Sequence, residues 1–86
     1  MDEQEKLIEM GDEAEILLAN ETFNKTVNTM VEQTFQTFVN TKYDEKDRRE
    51  NAYLTYRSLV DIVHTLQQRV SVRDEIKQNR DTNEEE

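Results

Sequence analysis

Two groups of residues in this 86-residue chain have types and spacings that could do chemistry. The first is Asp61-Ile62-Val63-His64, a carboxylate and an imidazole at i and i+3, with Glu32 as a third candidate ligand. Helical bundles that bind two metal ions use a Glu-x-x-His pair at this spacing, because three residues advance a helix by nearly a turn and bring both side chains to one site. Such pairs project inward. Here Asp61 falls about 180° and His64 about 120° from the centre of the apolar stripe on their own segment, at 100° per residue, and Glu32 is likewise off its apolar face. The pattern fits a solvated row better, with Arg57, Asp61 and His64 pairing at i, i+3 and i, i+4. One histidine outside any apolar face has no oriented pocket for nucleophilic catalysis. With no cysteine, thiolate chemistry and thiolate zinc sites are excluded. The expectation is a noncatalytic chain with no cofactor and no metal.

The second group is Lys42, Tyr43, Lys46, Arg48 and Arg49, cations around an aromatic that could meet phosphates and stack on a base. Asp44, Glu45, Asp47 and Glu50 interleave with them, and alternating signs normally pair with one another on a solvated surface. Nucleic-acid contact is therefore the weaker reading of this tip.

Three helical segments must position these residues. Proline is absent and Gly11 is the only glycine, so little interrupts the chain. The first segment, about 3–19, places Leu7, Met10, Ala14, Leu17 and Leu18 on one face, with Gly11 a weak point costing about 1 kcal/mol against alanine. Asn20 suits both a stop for this helix and a cap for the next. The second, about 21–40, carries the stripe Phe23, Val27, Met30, Val31, Thr34, Phe38. The third, about 45–79 with Asp44 as its N-cap, carries Ala52, Tyr56, Leu59, Val63, Leu66, Val70 at alternating steps of four and three. A short polar break between the second and third predicts an antiparallel helical hairpin, with Phe35, Phe38, Tyr53 and Tyr56 in its core.

The third helix would be roughly 50 Å long against about 30 Å for the second. Past Val70 the stripe positions become Arg73 and Lys77, which predicts the end of the seam. Tyr53, Val60, Ile62, Val72 and Ile76 lie off it, so one facing helix cannot cover them, and they are the expected partner-contact residues. The expected fold is all-α: a hairpin plus an N-terminal helix, one domain over 1–80, completed by oligomerisation or a partner, with an acidic tail at 81–86.

Charge is unevenly distributed along the chain. Residues 1–21 hold eight acids against one lysine, residues 81–86 hold four acids, and the 59 residues between sum to +2 within a total of −9. No apolar run approaches the roughly 18 to 20 residues of a membrane span, and no basic-then-apolar leader is present, so a soluble chain without a membrane partner is expected.

Leu17-Leu18-Ala19-Asn20 with Phe23, Thr41 shortly before an Asp-rich turn, and Arg49-Glu50 followed by Tyr53, Leu59 and Leu66 resemble a group of short helical proteins of tailed bacteriophages. The likeness spans about residues 17–70. It departs at Glu21, where members often carry proline, and at Phe38 and Tyr53, where they carry tryptophan. The resemblance implies a phage setting in the bacterial host cytoplasm or the virion, and a small structural or assembly role. It carries over no site. Partners would be a second copy of the chain or another phage protein. Two other classes remain open: an acidic inhibitor of a host nucleic-acid enzyme, and a small terminase-like DNA-packaging subunit.

Overall fold

A computed structural model describes the backbone of residues 2–85 and the side chains of residues 2–82. Three helices follow one another, α1 (Glu3–Leu18), α2 (Glu21–Val39) and α3 (Lys46–Glu85), and the described residues contain no strand. The Asp2 carboxylate caps α1 by accepting the Glu5 N–H at 2.7 Å, and Glu3 and Glu5 place acid in its first turn. At its other end, Asn20 N–H donates to the Leu17 carbonyl at 3.1 Å, and no non-glycine residue described has a positive φ. The turn into α2 therefore makes no use of the left-handed backbone.

Two boundaries differ from expectation. The N-cap of α3 is Glu45 rather than Asp44, because the Glu45 carbonyl accepts the first helical bond, from Arg49 N–H at 3.1 Å. α3 also continues through Asp81 to Glu85, where a tail was expected. No proline or glycine stops it, and Arg80 is tied by an Nη2 hydrogen bond to Gln4 Oε1 at 3.0 Å. Glu86 lies outside the described residues.

The helices form two compact units, and α3 contributes to both. Its buried residues are Ala52, Leu59, Leu66 and Arg73, each seven positions after the last. Ala52 and Leu59 belong with α2, Leu66 and Arg73 with α1.

In the unit built by α1 and the second half of α3, the inward face of α1 is Leu7, Gly11, Ala14 and Leu18, at steps of four, three and four. Leu17, expected on this face, is exposed beside Ile16. Gly11 is buried, and it is a point of close approach to α3 rather than a weak point. A Cβ there would overlap the Arg73 Cβ and stand 2.8 Å from the Arg69 carbonyl oxygen. The absence of a side chain lets the two backbones come together.

Arg73 is the residue on which this unit turns, and it overturns the expected end of the seam at Val70. It occupies the heptad position after Leu66 and is only 7% exposed. Its stem fills an apolar position while its guanidinium reaches the edge of the interface, as long cationic side chains do. There Nη1 donates to Glu15 Oε2 at 2.6 Å and Asp12 Oδ1 at 3.0 Å, both from α1, and Nη2 donates to Asp74 Oδ1 at 2.9 Å. The fork geometry of a guanidinium allows three carboxylates to be served at once. The hydrogen bonds that Arg73 donates to Glu15, Asp74 and Asp12 hold it above its ordinary pKa, and the Arg73 hydrogen bond followed by its charge holds Glu15 below the usual carboxylate value. Residue pairs 4 with 80 and 12 with 73 show α1 running opposite in sense to α3 here.

In the other unit α2 buries no residue. Phe23, Val27, Val31, Thr34 and Thr37 are half-buried, while Met30 and Phe38, expected in the stripe, are exposed.

Two outcomes follow from the α1 contact. In an open helix Gly→Ala gains about 1 kcal/mol, but at Gly11 the new methyl meets a backbone oxygen and a Cβ that cannot rotate away, an overpacking cost of about 1–3 kcal/mol. Gly11→Ala is expected to lower the melting temperature, and a rise would show that α1 does not approach α3 this closely. Second, Glu15 has a lowered folded-state pKa, so its contribution is complete above the ordinary value of 4.5 and is lost as pH falls through the lowered one. The melting-temperature gap between the wild type and Glu15→Gln should narrow as pH is taken from about 6 to below the ordinary value of 4.5. A gap constant over that range would contradict the Arg73 contact.

Candidate interaction surface

The unit of α2 and the first half of α3 presents two grooves that share Thr34 and Ala52. Phe35 and Phe38 lie about 100° and 40° to one side of Thr34, and Tyr53 and Tyr56 lie likewise from Ala52, at 100° per residue. These four line an apolar groove of about 240 Å³. Thr37, Arg48, Asn51 and Thr55 fall to the other side and line a polar one of about 480 Å³. The aromatics expected in the core are thus at the surface: Phe35 is 57% and Tyr53 53% exposed, with Phe38 and Tyr56 close behind. Helical spacing placed them on one side correctly, but α2 and the first half of α3 leave them about half exposed.

The threonine hydroxyls around these grooves are engaged within their own helices. Thr34 Oγ1 donates to the Val31 carbonyl at 2.8 Å, Thr37 to Gln33 at 3.0 Å, and Thr55 to Asn51 at 3.0 Å. This back-bonding makes threonine behave toward an approaching surface more as an apolar residue than as a donor.

The expected partner-contact residues are divided between the two units, Tyr53, Val60 and Ile62 in one and Val72 and Ile76 in the other. Tyr53 lines the apolar groove, and Val72 lines a separate groove of about 260 Å³ in the α1 unit with Leu7, Met10, Thr65, Gln68 and Arg69. Ile62 is 51% exposed, whereas Val60 and Ile76 are half-buried. Phe35, Phe38 and Tyr56 were missed as surface residues. The signal that could have found them is the absence of charge from Gln33 to Thr41 and from Asn51 to Tyr56.

At the tip, the cations meet the chain's own oxygens. Arg48 Nη1 donates to Glu45 Oε2 at 3.2 Å, Arg49 Nη1 to the Lys42 carbonyl at 3.2 Å, and Lys46 lies 3.9 Å from Glu50. The Glu45 carboxylate also accepts the Lys42 N–H at 2.9 Å, and that bond, then the one from Arg48, holds its pKa below the usual value. Tyr43 is 93% exposed.

Asp61 pairs with Arg57 at 3.2 Å, Asp61, His64 and Glu32 are all exposed, and no three His, Cys, Asp or Glu converge among the described residues. No described helix is long and apolar enough to cross a membrane.

No family model matches this chain, and neither a curated protein nor a solved structure matches it.

Glu45 organises the turn into α3 through a carboxylate that bonds backbone and side chain together. Glu45→Ala is expected to speed hydrogen exchange of the Lys42 amide about tenfold or more, the lower end being that of a typical charged hydrogen bond lost. Unchanged exchange would mean the turn holds without it.

Proposed function

We propose that this chain is a noncatalytic protein-interaction module of a tailed bacteriophage, a small structural or assembly component acting through helix–helix contacts. In this reading α2 and α3 pair as an antiparallel hairpin whose uncovered face is closed by a second copy or another phage protein. The observation that carries it is the exposed aromatic groove on a unit where α2 buries nothing. An apolar patch of this kind on a small chain commonly marks a partner surface. The phage setting comes from the resemblance over residues 17–70, and the place of action would be the host cytoplasm or the virion.

A second reading has a specific observation in its favour. The α1 unit, residues 1–20 and 64–86, holds thirteen acids against five bases, so it carries −8 of the total −9. Such a surface suits an acidic inhibitor of a host nucleic-acid enzyme. The two readings separate by salt, since charge-driven binding weakens steeply as salt rises and apolar contact does not.

The assembly reading is tested with the double variant Phe38→Asp/Tyr53→Asp in cells producing the phage. The variant is expected to keep wild-type helicity by circular dichroism and to leave the phage assembly, with binding weakened about a hundredfold or more for loss of two central aromatics. A variant that co-purifies with virion or assembly components as well as the wild type would overturn it.

A further inference from the structure

We infer that the occupant of the aromatic groove is a second copy of this chain, paired about a two-fold axis with Phe35 of each copy against Tyr53 of the other. The inference rests on the interaction reading above and names its partner.

Charge decides between a second copy and a basic partner. A chain of −9 repels its own copy over most of its surface, and −8 of that belongs to the α1 unit. The groove unit carries seven acids against six bases, a net −1, and the two runs that line it, Gln33–Thr41 and Asn51–Tyr56, contain no charge. Two copies meeting there bring no like charges together and desolvate none. A basic protein would gain nothing from this groove and would be drawn to the acidic unit instead.

The polar chemistry of the groove fits self-pairing as well. An isologous contact places each surface against itself, so every buried donor needs an acceptor on the same patch. The Thr34 hydroxyl, which lines the groove, already donates to the Val31 carbonyl. Apart from the Tyr53 and Tyr56 hydroxyls, which must reach water at the rim, what remains is aromatic, and two rings from α2 facing two from α3 can interleave edge to face.

The available area is of the right order. Phe35, Phe38, Tyr53 and Tyr56 are each about half exposed, and at about 150–250 Å² per ring they offer on the order of 400 Å². Each side of a standard interface buries about 800 Å², and exposed Val39, one turn beyond Phe35, extends the same flank. The expected pair is reversible, and it tightens with added salt because only residual like-charge repulsion is screened.

Sedimentation equilibrium of the full chain over micromolar to millimolar concentration tests this. Wild type is expected to reach twice the chain mass, more readily at higher salt. Phe35→Lys and Tyr53→Glu, both at exposed positions and so expected to fold normally by circular dichroism, should each remain monomeric. An equal mixture of the two should recover the dimer, because one copy's lysine then meets the other's glutamate while the second Phe35–Tyr53 contact stays native. A wild type that is monomeric throughout, single variants that still pair, or a mixture that stays monomeric would each overturn the proposal. A monomeric wild type that loses a virion component on Phe35→Lys would overturn self-pairing alone. A chain that dimerises as described but enters no phage assembly would uphold the pairing and sink the assembly role.

Discussion

A long helix keeps one line of side chains facing a neighbour only if that line recurs about every seven residues, since 3.6 residues per turn drifts by about 20° per heptad. Ala52, Leu59, Leu66 and Arg73 are that line in α3. They are the positions about which both units are organised, and the rest of the molecule follows from what each unit sets against them. Opposite the second half stands α1, with Gly11 and Ala14 letting its backbone come close. Opposite the first half stands α2, whose residues nearest α3 are only half-buried.

The two units therefore hold together by different means. The α1 unit combines close backbone approach with one guanidinium shared among three carboxylates, an arrangement fixed in position by geometry. The α2 unit has no such fixture. Its polar side chains bond back into their own helices, its charges pair locally at i, i+3 and i, i+4, and its aromatics remain at the surface. Local pairs of that kind contribute little to stability.

Much of the secondary structure was legible in the sequence. The starts of α1 and α2 coincide with the expected residues and that of α3 lies one later, because acids near helix starts and the near absence of glycine and proline leave few alternatives. Arg73 was misread because a charged residue at a stripe position looks like the end of a seam when only its neighbours are considered. What reverses that reading is Gly11, Asp12 and Glu15, some sixty positions earlier, and no local periodicity connects them. The aromatic groove was misread for the opposite reason. Helical spacing reports which side of a helix a residue occupies, but whether anything covers that side is a property of the whole chain. The pairing of Arg57 with Asp61 and of Arg48 with Glu45 was legible, since it is decided within a single helix turn.

The contact between Gly11 and Arg73 also constrains how the sequence can drift. Any side chain at position 11 moves α1 outward, and that same displacement carries Asp12 and Glu15 away from the guanidinium they accept from. Lysine at 73 would keep a charge but present a single ammonium point where a fork now spans acceptors on two helices. Positions 11 and 73, with the carboxylates at 12 and 15, thus form one linked set, and a change at one member alters what substitutions the others tolerate.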